Sequence, residues 1–229
     1  MNPTLSIIIP TLNDAPCLER LLSSILTKAT PEIECIVCDG GSSDNVEEVC
    51  AKFNAKFLTT KASRAIQMNT GAINSNAEYL YFVHADTIPP TDFYQDFLRL
   101  KQMNQMAACY QSNFEGGPFM LKLNQFFTRF KWLVSRGGDQ SLFISKDLFN
   151  EVGPYDEEMK VMEEYPIIEK LLKRKQLHVF PKGMLISTRK YNENSWLRVS
   201  KANYKAFKAF QKGVDSGTIK ENYYKSLKS

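Results

Sequence analysis

The sequence lacks most features that would send its reading elsewhere. No window of its 229 residues approaches the ~20 apolar residues a membrane-crossing helix needs. The opening MNPTLSIIIP has no basic stretch ahead of a long apolar one, so no secretory leader is expected. Neither G-x-G-x-x-G nor G-x-x-x-x-G-K-[ST] occurs, which argues against a dinucleotide fingerprint and a P-loop. Histidine appears twice and cysteine five times, an odd count without disulfide-like spacing, so reduced thiols and a cytoplasmic chain are expected. The net charge of +4 is too slight to argue for nucleic acid as a partner. Internal repeats, low-complexity segments and long linkers are missing as well.

What remains is an ordinary globular composition, 43% hydrophobic and 24% charged, on a length that fits one domain over residues 1–229. LSIIIPTLND and IECIVCDGGSSD begin with continuous apolar runs and read as buried strands. Between them Leu18, Leu21, Leu22 and Ile25 share one helical face. NVEEVCAKF (helix), AKFLTT (strand), SRAIQMNTGAINSN (helix) and YLYFVHAD (strand) continue the alternation, which predicts an α/β fold with a mostly parallel central sheet flanked by helices. From Pro90 the expected order is helix (TDFYQDFLRLKQMNQ), strand (AACYQSNF) and one long amphipathic helix across MLKLNQFFTRFKWLVSRGGDQ. A strand and helix in SLFISKDLFNEVG, a helix in EEYPIIEKLLKRKQ, a strand in HVFPKGMLIST and a helical tail from Trp196 complete it. Cys35 and Cys38 form C-x-x-C inside a strand. A redox pair wants a helix N-terminus and a zinc site a second such pair, so both are expected in the core.

Charge collects at strand ends, where open α/β sheets bind ligands. In CDGGSSD the glycines permit tight backbone approach, and the serines and Asp44 are expected to cap the helix that follows. Asp39 there can accept hydrogen bonds from a base or ribose, or simply close a turn. Asp86 can hold a hard divalent cation shared with phosphates, or serve as a turn residue before Pro89 and Pro90. MEEY puts Glu163 and Glu164 at a helix start, as dipole-stabilised carboxylates or as a general base. STRKYNENSW brings Arg189 and Lys190 after a strand, for phosphates or as an exposed basic loop. His84, two residues before Asp86 on an expected strand, shares its face; partnering the Asp86 carboxylate ranks ahead of a core position or metal ligation. His178, with no acidic neighbour in QLHVF, reads as structural.

Taken in order, SIIIPTLND, CDGGSSD, RAIQMNTGA, FVHADT, GDQSLF and MEEY closely resemble family 2 glycosyltransferases of the GT-A nucleotide-diphospho-sugar transferase fold. The likeness is greatest to a small soluble bacterial subgroup with R-A-x-Q-M-N-x-G-A and H-A-D-T motifs, and it spans roughly residues 4–195. The resemblance implies a nucleotide-diphosphate sugar donor, an acceptor hydroxyl that the sequence does not name, inversion, and a divalent cation, Mn²⁺ or Mg²⁺. Residues 1–110 would form the nucleotide-sugar-binding half, 111–195 the acceptor half, and 196–229 a basic helical segment. By motif match, Thr11 and Asp39 meet the base and ribose, and Arg64 and Asn69 line the nucleotide and phosphate pocket. Ala85 and Asp86 fall at the end of the family's D-x-D, with Asp86 on the metal. Asp139 and Gln140 shape the donor-sugar and acceptor side, where Lys190 and Tyr191 also fall. Glu163 and Glu164 match the family's E-D pair, whose second carboxylate is the base. The chain departs from the family at His84, which replaces the first aspartate of D-x-D, and at Glu164, where aspartate is usual. It departs again at Lys190–Tyr191, where the subgroup has arginine and tryptophan. The departures at Glu164 and Lys190–Tyr191 support an alternative, a catalytically inactive nucleotide-sugar-binding protein of the same fold. A nucleotidyltransferase would need a basic glycine-rich loop after the first strand, which PTLND does not supply.

Two stretches mix aromatics with basic residues. Phe119, Leu123, Phe126, Phe127, Phe130 and Leu133 fall near one helical face among Lys122, Arg129 and Lys131. In the tail Tyr204, Phe207 and Phe210 stand beside Lys201, Lys205 and Lys208. Packing of these aromatics against the sheet is the default. Basic amphipathic helices also lie at anionic lipid surfaces, which gives a second expectation: weak contact with the inner face of the membrane and a lipid-linked acceptor.

Overall fold

The structure is a computed structural model that describes residues 3–26, 32–114 and 116–228, without the side chains of Lys190, Asn192 and Lys228. The first half runs β1 (Leu5–Thr11), α1 (Ala15–Leu26), β2 (Ile33–Asp39), α2 (Val46–Lys52), β3 (Lys56–Thr59), α3 (Arg64–Ile73) and β4 (Tyr79–Phe82). After it come β5 (Thr87–Ile88), α4 (Phe93–Gln102), β6 (Ala107–Phe114), α5 (Leu121–Phe127), β7 (Leu142–Ser145) and α6 (Lys146–Val152). The chain ends with α7 (Tyr165–Lys173), β8 (Leu177–Ile186), α8 (Arg189–Glu193), α9 (Trp196–Gln211) and α10 (Ser216–Lys228). None of the described helices is long and apolar enough to cross a membrane.

One sheet orders the strands β3-β2-β1-β4-β7-β6-β8-β5. The first four are mutually parallel, β7 runs antiparallel to β4 and β6, and β8 is parallel to β6. All seven residues of β1 are buried. Successive side chains point to opposite faces of a strand, so Leu5, Ile7 and Ile9 join α1, α2 and α4 in one core while Ile8 joins α3, α6 and α7 in the other. The result is helix, sheet, helix. Parallel strands buried on both faces read as unbroken apolar runs, which is why β1 and β2 were visible in the sequence.

The glycine of RAIQMNTGA is what brings α3 against the sheet. A Cβ on Gly71 would collide with Ile8 Cγ2 and stand 3.2 Å from Cys38 Sγ. Cys35 and Cys38 are buried and free, their thiols pushed up by burial, Cys38 to about 12.

Three local expectations are corrected. β4 ends at Phe82, four residues earlier than expected, because residues 84–87 turn: both the N–H and the Oγ1 of Thr87 donate to the His84 carbonyl, at 3.1 and 2.9 Å. Asp44 does not cap α2 but the earlier α1, accepting from Ala15 N at 2.9 Å, and α2 has no side-chain cap. The long helix expected from Met120 stops at Phe127. There Thr128 Oγ1 donates to Gln125 O at 2.7 Å and accepts from Ser112 N at 3.0 Å, and the buried Arg136 guanidinium donates to Thr128 O, tying the segment to β6.

Candidate active site

The carboxyl ends of β1, β2 and β4 share one edge of the sheet, and the order β2-β1-β4 makes β1 the point where the winding reverses. A crevice is expected there, and a cavity of about 380 Å³ occupies it. Its wall comes from Pro10–Leu12 and Asp14 after β1, Ala62–Arg64 and Gln67 of α3, and His84–Asp86 after β4. Met159–Val161 and Glu163 before α7 close another side, with Lys220 and Tyr224 of α10. Gln67 fixes the floor, donating from Nε2 to Thr11 O and Cys38 O, both at 2.7 Å, so that α3 ties the ends of β1 and β2 together.

A buried charge cluster stands behind this wall. His84 Nε2 lies 3.2 Å from Glu164 Oε1, and its Nδ1 lies 3.9 Å from Asp139 Oδ1. Arg64 Nη1 lies 3.8 Å from Glu163 Oε1, its side chain 63% exposed to the cavity and solvent against 3% for the carboxylate. Burial alone would lower the His84 pKa, but Glu164 and Asp139 outweigh it and the nearby Arg64, and hold the imidazole above its ordinary value. Burial would likewise raise Glu164, yet His84 and Arg64 keep it below the usual carboxylate range. Glu163 gains less from its neighbours: burial and the Glu164 charge push it up to about 7. Arg64, opposed by burial, is held up by Glu164, Glu163, Asp139 and Asp86.

Two strained residues set this geometry. Met162, just before the carboxylate pair, has φ 63°, and Ser141, just after Gln140, has φ 58°. Non-glycine residues rarely occupy this left-handed region, and they concentrate where a site fixes the backbone. Two buried oxygens of cavity-lining residues, Thr11 Oγ1 and Glu163 Oε1, have no hydrogen-bond partner in the protein. Buried polar atoms are normally satisfied, so two orphans at one cavity mark acceptors available to a ligand's hydroxyls.

The structure therefore gathers Thr11, Arg64, Ala85, Asp86 and Glu163 on one cavity, with Glu164 and Asp139 joined to it through His84. Others from the sequence reading sit elsewhere. Asn69 does not reach the cavity: its amide donates to Tyr155 O at 2.9 Å and Glu157 Oε1 at 3.0 Å and accepts from Tyr155 N at 3.0 Å, anchoring the segment that carries the glutamates. Gln140 is buried and donates to Ser135 O at 2.7 Å and to Ser112 Oγ at 3.3 Å. His84 and Asp86 both line the cavity, but the buried imidazole lies against Glu164, 3.2 Å away, while Asp86 is exposed. Tyr191 packs its ring on Phe114 at 6.3 Å, and the Lys190 side chain lies outside the described residues. The cation reaching the site from α8 is Arg189, 3.2 Å from Asp14 Oδ2. Asp14, Gln67, Lys160, Lys220 and Tyr224 were missed. Only Asp14 and Gln67 lay inside quoted motifs where a polar residue at a strand end or helix start could have flagged them.

Asp39 closes the turn after β2. Its Oδ2 accepts from Gly41 N at 3.0 Å and Ser42 N at 2.8 Å, its Oδ1 from Ser42 Oγ, and it does not line the cavity. Gly41 itself has φ 90°, which the turn requires. Asp39→Ala is expected to lower the melting temperature by several degrees through loss of this turn, an effect of about 1–2 kcal/mol. A mutant with unchanged melting and weakened nucleoside diphosphate affinity would instead assign Asp39 to the ligand.

An α/β domain with its ligand crevice at the β1/β4 switch and paired acidic groups beside it has the architecture of GT-A glycosyltransferases. The chain belongs to glycosyl transferase family 2, whose family model matches residues 6–144. An uncharacterized glycosyltransferase of Rickettsia typhi is 24% identical over 205 residues, covering 82% of this chain and 64% of that protein. Among solved structures, Staphylococcus aureus TarS (residues 1–349) in complex with UDP-GlcNAc aligns with TM-score 0.63 at 18% identity, over 81% of this chain and 59% of that one. The mannosyltransferase PcManGT of Pyrobaculum calidifontis, in complex with GDP-Man and Mn²⁺, aligns with TM-score 0.66 at 15% identity, over 92% and 65% of the two chains. The chain thus spans about two thirds of these relatives' lengths or less.

Proposed function

We propose that this chain transfers a sugar from a nucleoside-diphosphate donor to an acceptor hydroxyl, with inversion at the anomeric carbon. The observation that carries the reading is the pair of orphaned oxygens, Thr11 Oγ1 and Glu163 Oε1, on a cavity that also presents Arg64 and Asp86. The donor class is supported by the nucleotide sugars bound in two structures of the same fold.

Arg64, exposed on the wall, attracts the diphosphate, which a planar guanidinium can hold through two parallel hydrogen bonds. Thr11 Oγ1 and Glu163 Oε1 accept from donor hydroxyls. Glu164 is the general base: it takes the acceptor's proton as the hydroxyl attacks the side of the sugar opposite the leaving diphosphate. His84, 3.2 Å away, keeps that carboxylate ionised and fixed. The residues also fit a divalent cation. Among the described residues no three His, Cys, Asp or Glu side chains form a metal cage, but Mg²⁺ commonly takes only one or two protein carboxylates and completes its shell with phosphates and water. Asp86 would hold the ion, which when bound neutralises charge on the departing diphosphate.

Titration of UDP and GDP, with and without Mn²⁺, into the wild type and Asp86→Asn tests this arrangement. The metal is expected to tighten wild-type binding, and the mutant is expected to lose that gain. For either nucleotide, equal affinities with and without Mn²⁺ in both proteins would remove the cation from Asp86.

A lipid-linked acceptor remains part of the proposal, on a smaller surface than the sequence suggested. In the tail, Phe207 and Phe210 pack on the Tyr165 ring at 5.9 and 5.4 Å, so these two rings are taken up by the fold while Tyr204 stays exposed. On either side of α5, however, Phe119 and Trp132 are 72% and 52% exposed, beside the partly exposed Phe126 and Phe127. Lys122 and Arg129 lie over the Phe119 and Phe126 rings. Such a surface suits an anionic membrane. Co-sedimentation with phosphatidylglycerol vesicles should show salt-sensitive binding that Phe127→Ser/Trp132→Ser abolishes. Equal pelleting of mutant and wild type would place the contact elsewhere.

A further inference from the structure

The last helix reaches the donor cavity. Lys220 and Tyr224 of α10 both line it, and their i, i+4 spacing puts them on one face of that helix. Neither side chain is buried in the fold, and the Tyr224 ring meets that of its helix neighbour Tyr223 at 5.7 Å. Lys220 is exposed and makes no ion pair among the described residues, and Tyr224 is 51% exposed. Their neighbour Ile219 does the anchoring, at 3% exposure.

The start of α10 is fixed to the segment that precedes the glutamates. Ser216 Oγ accepts from Lys160 N at 3.0 Å, while Asp215 caps the helix, accepting from Gly217 N at 3.0 Å and Thr218 N at 2.8 Å. A second cavity of about 440 Å³ lies between residues 156–160 and the α9–α10 turn, where Gly213 has φ 69°. The helix is thus pinned at one end over loosely filled space, with its Lys–Tyr face on the site.

The geometry points to α10 as a nucleotide clamp: Lys220 engages the diphosphate of a nucleoside diphosphate, and Tyr224 packs against its base or ribose. A lysine supplies point charge to phosphate without fixed geometry, and an exposed tyrosine offers a flat face on which any base stacks. This inference rests on the donor-site reading above and assigns a binding function to a segment beyond the residues that the family model matches.

Calorimetric titration of the full chain with UDP, GDP and the corresponding nucleosides tests it. Lys220→Ala is expected to weaken both diphosphates about tenfold and leave nucleoside affinity unchanged, with Lys220→Arg restoring most of the loss. Tyr224→Ala is expected to weaken diphosphates and nucleosides alike. Tryptic cleavage after Lys212 and Lys220 should slow when UDP or GDP is present. Wild-type affinity in both alanine variants would overturn the clamp and leave the donor site standing. Tighter binding in them would overturn it too, making α10 a plug. If the wild type binds neither diphosphate with Mn²⁺ or Mg²⁺ present, the donor-site reading itself fails and the clamp with it.

Discussion

Glu164→Gln is expected to lower sugar transfer by about 10²–10⁴-fold, the usual contribution of a positioned general base, while nucleoside diphosphate affinity stays close to that of the wild type. The substitution keeps the shape of the side chain and removes its basicity. Glu164 sits behind the cavity wall against His84, whereas the wall itself is built by Thr11, Arg64, Asp86 and Glu163. Binding and chemistry should therefore separate. Glu163→Gln is expected to reduce transfer less, because that carboxylate is placed to accept from the donor. A larger rate loss at Glu163 would move the base by one residue. Donor binding without transfer in the wild type would favour the nucleotide-sugar-binding alternative.

Glu163→Gln should instead have its main effect on stability, and only at higher pH. In the unfolded chain this carboxyl ionises near 4.5, but the folded chain holds its proton until about 7. Between those values the folded state binds more protons than the unfolded one, so stability falls as pH rises through the window. The penalty is absent below the unfolded value and complete above the folded one, on the order of 3 kcal/mol. Glutamine carries no such penalty. At pH 8 the mutant should melt several degrees above the wild type, given roughly 2–4 °C per kcal/mol for a chain of this size, and the difference should close towards pH 4.5. Thermal melts of both proteins at four pH values measure it. A gap that does not change with pH would mean that Glu163 is ionised in the folded protein throughout. A buried carboxylate that costs stability is the pattern of a group kept for a site.

The sequence showed the frame of this site better than its wiring. β1 and β2 were legible because burial on both faces leaves mostly apolar side chains, and α3 because Gly71 and its neighbours stand in a motif that packs on β1. Strand-end acids located Asp86, and the paired glutamates located a helix start. Side-chain partnerships across the fold were not legible. His84 looked like a companion of Asp86 because period-two reasoning assumes the strand continues, and the turn closed by Thr87 breaks that assumption. Asp44 capped the helix before it instead of the one after, since loops 13–15 and 42–44 hydrogen-bond to each other: Asn13 N donates to Ser42 Oγ at 2.8 Å, and Ser43 N to Asn13 Oδ1 at 2.8 Å. Asn69 carried a motif position yet serves as a strut for Tyr155 and Glu157. The reach of α10 into the cavity depends on the packing of Ile219 and the Ser216–Lys160 contact, and local sequence pattern does not encode either.

The central claim is that the crevice at the ends of β1 and β4 binds a nucleotide-sugar donor. Its most direct test is a thermal-shift panel of uridine and guanosine diphosphate sugars with Mn²⁺ or Mg²⁺, run on the wild type and on Arg64→Ala. At least one donor is expected to raise the wild-type melting temperature saturably, by several degrees at a hundredfold excess over its Kd, and to lose that effect in the mutant. No shift with any nucleotide sugar up to millimolar concentration, with either metal present, would contradict the account.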